Sequence, residues 1–321
     1  MNILILSVGT RNKIIQYFKK ELKGKGKVIA TDCSDLAPAI YEADKYYITK
    51  RITEKGYLED ILNICKNEHI DTLFTLIDPE ISLISKNVEK FKKIGVNPIV
   101  SDYDKVEMCF NKYEMYTFLK ENSFKTAKSY IDKEEFYMDL ENKIISFPVF
   151  VKPVKGSASL NINKVNSKEE LDVIWKQADD LMIQEYMNGQ EYGADVYIDM
   201  ISKEPVSIFV KKKIKMRAGE TDKSESFKDE KLFNLIKKFV KKAGFKGIID
   251  IDIFKIDGEY YISEVNPRFG GGYPHAYESN VNVPKMILNN INGIENKEQI
   301  GKYDEGIYMM KYNEVKILKN K

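Results

Sequence analysis

Glu264-Val265-Asn266-Pro267-Arg268 closes the run Tyr260-Tyr261-Ile262-Ser263 and sets a carboxylate, an amide and a guanidinium at every second position of what reads as a β-strand. Side chains alternate faces along a strand, so Glu264, Asn266 and, where the extended path continues, Arg268 point the same way. Two neighbouring oxygen ligands with a cation beyond them suit a hard metal carrying phosphate, because Mg²⁺ takes oxygen ligands and shares them with substrate phosphates. The stretch predicts an ATP-using site, which needs further parts, and the flanking sequence carries candidates for each.

Just upstream, Gly247-Ile248-Ile249-Asp250-Ile251-Asp252-Ile253-Phe254 alternates carboxylates with apolar residues, so Asp250 and Asp252 share one face of the preceding strand. A strict two-residue turn at Asp257-Gly258 would pair Asp252 with Ser263 and put the acids on opposite faces. A three-residue loop, Asp257 to Glu259, pairs Asp252 with Glu264 and uses Gly258 at a bulge position. The second arrangement is the expectation, with Asp252 and Glu264 jointly holding metal. A hairpin with one wet face would account for the aspartates and leave Asn266-Pro-Arg-Phe-Gly-Gly-Gly unexplained.

Lys211, Lys213, Lys215 and Arg217 form a second alternating ladder with Ile214 and Met216 opposite. Such a ladder is either an edge strand protected from aggregation or a cationic wall facing a triphosphate or a carboxylate. The polar stretch Ala218 to Ser224 reads as a mobile cover. Leu181 to Glu191 joins two strands through Asn188-Gly189. Backbone there could read a purine edge while Glu185 or Glu191 accepts ribose hydroxyls, and a plain hairpin turn with solvated glutamates is the alternative. Phe147 to Ser159 delivers Lys152 from a strand into a small-residue loop whose N–H groups could cradle phosphate, although Lys-Pro before Gly-Ser also suits an ordinary turn. His69 reads as surface, and His275 as structural or lining the acceptor pocket.

The first hundred residues alternate strand and helix. Ile3 to Val8, Lys27 to Thr31, Thr72 to Leu76 and Pro98 to Val100 read as strands, with helices reaching about Lys23 and over Tyr57 to Glu68 and Glu80 to Phe91. This predicts a parallel α/β unit, whose ligands collect beyond the carboxyl ends of its strands at Gly9 to Arg11, Asp32 and Asp78-Pro79-Glu80. A lone Gly9 where a dinucleotide fingerprint needs three glycines argues against a nicotinamide cofactor. After Ser101 come a helix over Lys105 to Asn122 and then strands and helices in α+β order, with a helix at Glu230 to Ala243 and a late strand near Ile307 to Tyr312. No internal repeat or low-complexity segment interrupts them.

The chain has 321 residues, with 51 Lys plus Arg against 49 Asp plus Glu, a net charge of +2. That length predicts two or three subdomains, and charges so balanced and interspersed argue against a nucleic-acid binder. Cys33, Cys65 and Cys109 are widely spaced and odd in number, which supports neither a disulfide framework nor a structural zinc site. With no signal-peptide pattern and no apolar run of membrane-spanning length, the expectation is a soluble cytoplasmic protein without membrane partners.

Asn111-Lys112, Phe147 to Ser159, Gln184-Glu185-Tyr186 to Glu191, Asp252 and Glu264-Val-Asn266-Pro-Arg268 occur in an order and spacing that resembles the ATP-grasp superfamily, in its carbamoyl-phosphate-synthase-like single-unit form. The resemblance covers nearly the whole chain. It implies a parallel α/β pre-ATP-grasp domain over residues 1–103 and a two-subdomain ATP-grasp fold over 104–321, with a small ATP lid at about 113–187 and a larger catalytic part at about 188–321. It further implies that Lys112 and Lys152 contact ATP phosphates under a cover of Gly156, Ser157 and Ser159. Adenine would meet Glu185, Tyr186 and Met187, and the ribose Glu191. Asp252, Glu264 and Asn266 would hold one or two Mg²⁺, or Mn²⁺, and Asn266 would also approach the nucleotide. Arg268, with Lys213, Lys215 and Arg217, would stabilise the transferring phosphoryl group, and Gly270-Gly271-Gly272 would let backbone approach the acceptor. The implied reaction activates a small carboxylate as an acylphosphate and passes it to an amine; a homodimer is an allowed assembly. Phosphotransfer without ligation, and nucleotide binding without turnover, are the competing expectations.

Overall fold

The computed structural model of the chain describes residues 1–156 and 162–319. Its first sheet is parallel and five-stranded, in the order β3-β2-β1-β4-β5. The elements are β1 (Asn2–Leu6), α1 (Asn12–Leu22), β2 (Lys27–Asp32), β3 (Lys45–Ile48), α2 (Tyr57–Asn67), β4 (Thr72–Thr75), α3 (Asp78–Lys86), α4 (Val88–Lys92) and β5 (Asn97–Pro98). Ile3, Leu4, Ile5 and Leu6 are all fully buried, as a central parallel strand covered on both faces requires. β3 lies at the edge with Tyr46 and Ile48 exposed, so it lacks the buried run that revealed the other strands. The expected helix over Glu80 to Phe91 is two helices that meet at Asn87.

The expected helix over Lys105 to Asn122 is likewise two, α5 (Tyr103–Phe110) and α6 (Lys112–Glu121). Asn111 takes an extended conformation, and its side chain accepts from the Tyr113 and Glu114 amides. An asparagine N-cap satisfies amides that a continuous helix would pair through backbone, so it starts a new helix with Lys112 at its head.

A four-stranded sheet follows, in the order β6-β9-β7-β8. It comprises β6 (Ser129–Tyr130), α7 (Lys133–Glu141), β7 (Val149–Pro153), β8 (Asn163–Val165), α8 (Lys168–Trp175) and β9 (Leu181–Glu185), with its own apolar core under Phe136 and Leu171. The last sheet is antiparallel and six-stranded, in the order β14-β13-β10-β11-β12-β15. Its elements are β10 (Gln190–Ile198), β11 (Pro205–Arg217), β12 (Glu220–Phe227), α9 (Glu230–Ala243), β13 (Gly247–Ile256), β14 (Glu259–Asn266), α10 (Tyr273–Glu278), α11 (Val283–Ile291) and β15 (Tyr308–Met310). Asp229 caps α9, whose apolar stripe of Leu232, Ile236 and Phe239 is buried. The stretch expected as a mobile cover is therefore the turn Ala218-Gly219 and the first five residues of β12. Its alternation of buried Asp222, Ser224 and Ser226 is polar, which hid the strand from a hydrophobic pattern. No helix among the described residues is long and apolar enough to cross a membrane.

Phe269, immediately after Arg268, packs against Phe18 and Phe74 of the first sheet's layer with ring centroids 6.1 and 5.4 Å away. Tyr17 stacks on Tyr277 at 3.7 Å. These contacts fix the end of β14 against the N-terminal unit.

Candidate active site

β13 and β14 pair Asp252 with Glu264 and Asp250 with Asn266. The pairing matches the expectation, but its cause differs. The turn is two residues, since Ile256 pairs with Glu259, and Asp257 and Gly258 both have positive φ, 48° and 80°. A register shift between Asp252 and Ile253 leaves Ser263 as an extra residue, and this bulge returns Glu264 to the face that the short turn would have denied it.

On that face the strands carry a continuous charged layer. Gly193 pairs with Asp252 on one side and Lys211 on the other, while Asp195 pairs with Asp250. Lys213 Nζ donates to Glu191 Oε1 and Asp252 Oδ1, both at 2.6 Å. Burial alone would lower the Lys213 pKa, but Asp252 and Glu191 outweigh it and hold the ammonium charged. Lys211 Nζ lies 2.5 Å from Asp195 Oδ2 and 3.9 Å from Asp250 Oδ1. Burial raises the Asp250 and Asp195 pKa values against the pull of Lys211. A Cβ at Gly193 would come 3.1 and 3.3 Å from the Cε atoms of Lys211 and Lys213, so the glycine makes room for both stems.

The expected cationic ladder breaks after Lys213. Register shifts on either side of Lys215 interrupt the alternation, and Lys215 and Arg217 are exposed together with Ile214 and Met216. Arg217 turns to Asp222, with Nη2 3.1 Å from Oδ1 but outside hydrogen-bond geometry. The wall is thus Lys211 and Lys213, and the residues missed in the sequence are Gly193 and Asp195, whose spacing from Glu191 repeats the strand period of two.

Facing this layer, Lys152 Nζ donates to Gln184 Oε1 at 2.7 Å, and Gln184 donates on to Ser129 Oγ at 3.0 Å. Burial lowers the Lys152 pKa to about 8, with Glu264 opposing and Lys112 reinforcing the shift. Lys112, whose pKa burial also lowers, donates to the Gly156 carbonyl at 2.6 Å. A small cleft lined by Asp78, Cys109, Lys112, Gly156, Glu264 and Asn266 opens beside Lys112. Among the described residues Glu264 makes no hydrogen bond or ion pair of its own, yet its charge bears on Lys112, Lys152 and Arg268.

Arg268 departs from the extended path: its amide donates to the Asn266 carbonyl in a tight turn, and its side chain meets the N-terminal unit. Nε and Nη2 grip Asp78 Oδ1 and Oδ2 at 2.8 and 2.9 Å, Nη2 also reaches Asn266 Oδ1 at 3.3 Å, and Nη1 donates to the Phe269 carbonyl. One of the guanidinium's five N–H donors is left. Glu185 accepts from the Lys128 amide at 3.0 Å, Tyr186 packs on Phe150 beneath Lys164, and Met187 is buried. His275 is buried between Ser224 and the Ile307 carbonyl, a structural pin. Ser157 and Ser159 lie outside the described residues.

Glu264 and Asn266 line the cleft and Asp252 pairs with Glu264 across the hairpin, so the three offer oxygen ligands of the kind Mg²⁺ requires. Among the described residues no group of three or more acidic, histidine or cysteine side chains is arranged to hold a metal ion by itself, so remaining coordination positions would fall to substrate oxygens or water.

Residues 3–99 match the family model of the PylC-like N-terminal domain, and residues 109–272, half of the chain, match that of the ATP-grasp domain. The formate-dependent phosphoribosylglycinamide formyltransferase of Prochlorococcus marinus is 24% identical over 314 residues, covering 91% of this chain and 74% of that protein. The arginine-specific carbamoyl phosphate synthase large chain of Geobacillus stearothermophilus is 23% identical over 236 residues; the match takes in 70% of this chain and only 22% of that protein. Biotin carboxylase from Campylobacter jejuni superposes with a TM-score of 0.76 at 18% identity, over 96% of this chain and 74% of that one.

Proposed function

We propose, because this chain belongs to the ATP-grasp family, that it is an ATP- and Mg²⁺-dependent ligase joining a small carboxylate to an amine. The observation that carries the reading is the cleft where Lys112 shares the lining with Glu264 and Asn266, and where Asp78 of the same lining holds Arg268. Arg268 is matched by Asp78, so Lys112 and Lys152 beside Glu264 leave an excess of positive charge for a polyphosphate.

In this reading Lys112 and Lys152 bind the phosphates beneath the segment from Gly156 through Ser157 and Ser159. Backbone at Glu185, Tyr186 and Met187 takes the adenine, and Glu191, steadied by Lys213, the ribose. Glu185 already serves the Lys128 amide, which favours Glu191 for the sugar. Asp252, Glu264 and Asn266 would hold Mg²⁺, or Mn²⁺, which supplies charge neutralisation on the phosphates. A carboxylate oxygen attacks the γ-phosphorus of ATP, the bond to the bridging oxygen breaks, and ADP departs. Arg268, held by Asp78, points its last N–H at the charge growing on the transferred group. An amine then attacks the acyl carbon, loses a proton and expels inorganic phosphate. Lys215 and Arg217, being exposed, have no part in this reading.

The three sheets support a division at 103/104, with the lid in 113–187 and the catalytic part in 188–321. The absence of a membrane-spanning helix among the described residues fits cytoplasmic action on small molecules. The test is ADP release over carboxylate pools crossed with amines, with and without EDTA. Mg²⁺-dependent ADP and phosphate support the mechanism; AMP and pyrophosphate sink it. ADP formed with a stable phosphorylated product and no amine selects phosphotransfer instead.

A further inference from the structure

β15 is an edge strand of the last sheet and pairs with β12 alone. The opposite edge, β14, is covered, because the Ile262 amide donates to the Lys125 carbonyl. Along β15 the Ser226 amide donates to the Ile307 carbonyl and the Lys311 amide to the Asp222 carbonyl, so the odd-numbered residues face β12. The backbone groups of Tyr308, Met310 and Tyr312 point the other way, and no strand pairs with them among the described residues.

This edge is apolar where edge strands are normally blunted by charge or proline. Tyr308, Met310, Tyr312, Val315, Ile317 and Leu318 are 42% to 83% exposed. Single exposed apolar side chains are ordinary, but a run of them at one edge is the kind of patch that marks an interface. The row lies away from the active site: Met309 pairs with Ser224 and Ser224 with Lys213, so Tyr308 and Met310 take the opposite face of the sheet. The segment is also anchored, by Lys311 on Glu220 at 2.8 Å and by Lys316 on Glu42 at 2.6 Å. An edge already held in shape loses little freedom when it is covered.

We propose that this edge pairs with the same edge of a second copy of the chain, antiparallel about a two-fold axis at Met310, so that the two six-stranded sheets become one. A two-fold interface needs a surface that complements itself. Tyr308 and Tyr312 stand two residues either side of Met310. The axis therefore sets Tyr308 of each copy against Tyr312 of the other and Met310 against itself, and their outward N–H and C=O groups exchange hydrogen bonds. Charge fits the same register: Asp304 falls at the position of Lys316, twice by symmetry, and Glu314 at that of Gly306. Sliding the copies by two residues sets Lys311 against itself in one direction and Glu314 against Asp304 in the other, and like charges directly opposite disfavour both. A partner of another kind would not require the row to read alike in both directions.

The test is sedimentation velocity of the full chain at concentrations up to about 100 μM, which populate a micromolar dimer. At the upper end the wild-type protein sediments as a species of twice the 37.2 kDa chain mass. Met310→Lys and Met310→Glu each change an exposed side chain and set like charges across the axis, so each raises the dimer dissociation constant about tenfold or more. Mixing the two variants sets opposite charges across the same axis and restores the dimer, which also shows that both have folded. A wild-type chain that stays monomeric at about 100 μM overturns the inference, as does a dimer indifferent to Met310→Lys or a mixture of the two variants that remains monomeric. A monomer that instead cosediments with phosphatidylglycerol vesicles overturns it in favour of a membrane surface.

Discussion

Replacing Lys152 with Met should make the protein more stable and unable to hold ATP well. Lys152 is 8% exposed, and burial depresses its pKa from 10.5 to about 8. At roughly 1.4 kcal/mol per unit, keeping it charged in the folded state at pH 7 costs on the order of 3 kcal/mol. Methionine removes that cost and keeps the stem packed, but it strands Gln184 Oε1, which loses the 2.7 Å bond at a cost of about 1 kcal/mol. The variant should therefore gain about 2 kcal/mol at pH 7. The unfolded chain binds the extra proton between pH 8 and 10.5, so wild-type stability rises through that window and the variant's advantage shrinks, by about 2 kcal/mol between pH 7 and 9.5. Urea denaturation of both proteins at the two pH values reads this difference. ATP affinity, by calorimetry, should fall tenfold or more with the loss of a charged donor. A variant that is less stable at pH 7, or whose advantage does not change with pH, refutes the claim that Lys152 is held charged at a cost so that it can serve phosphate.

Glu264→Gln and Asn266→Ala should each lower Mg²⁺-dependent ADP release by about a hundredfold or more, the scale of losing one preorganised electrostatic group; full activity in Asn266→Ala removes it from the metal set. Asp78→Asn keeps an acceptor for Arg268 but removes its charge partner, so kcat should drop about tenfold with little change in the KM for ATP, and steady-state kinetics that show a KM effect alone would contradict a positioning role. Gly270→Ala puts a Cβ 2.5 Å from the Asp250 carboxyl carbon and should destabilise the protein by about 1–3 kcal/mol, read as a lowered melting temperature. Glu80, buried against Tyr57 and Thr75, has its pKa raised to about 8 by burial, with Asp32 adding to the shift. Its folded pKa lies above its unfolded one, so its stabilisation is full below pH 4.5 and fades as pH rises through 8. Glu80→Gln should accordingly be the more stable protein at pH 8.5 and not at pH 4.5, by denaturation at each pH.

Much of the site was legible because it is written in short periods. Glu264 and Asn266 announce their common face by spacing alone, and Asp250 with Asp252, and Glu191 with the overlooked Gly193 and Asp195, repeat the same rule. Fold class followed from the alternation of apolar strands and amphipathic helices in the first hundred residues and its change after Ser101. The failures are equally physical. β12 went unseen because the residues it buries are Thr221, Asp222, Ser224 and Ser226, and burial of polar groups becomes visible only once their partners are placed. The ladder through Lys215 and Arg217 ended early because bulges break a period without leaving a trace in residue type.

What the sequence determined by itself was therefore local: which residue types alternate on which strand, and that a carboxylate, an amide and small-residue loops occur in an order that fits phosphoryl transfer. Tertiary structure alone decided which charges meet. The bulge at Ser263, not the turn, sets Glu264 opposite Asp252. Asp78 finds Arg268 across 190 residues, and Arg11 finds Glu220 across 209. Such partners share no spacing, because an ion pair depends on distance in space and on burial, and packing of the first sheet against the end of β14 fixes both.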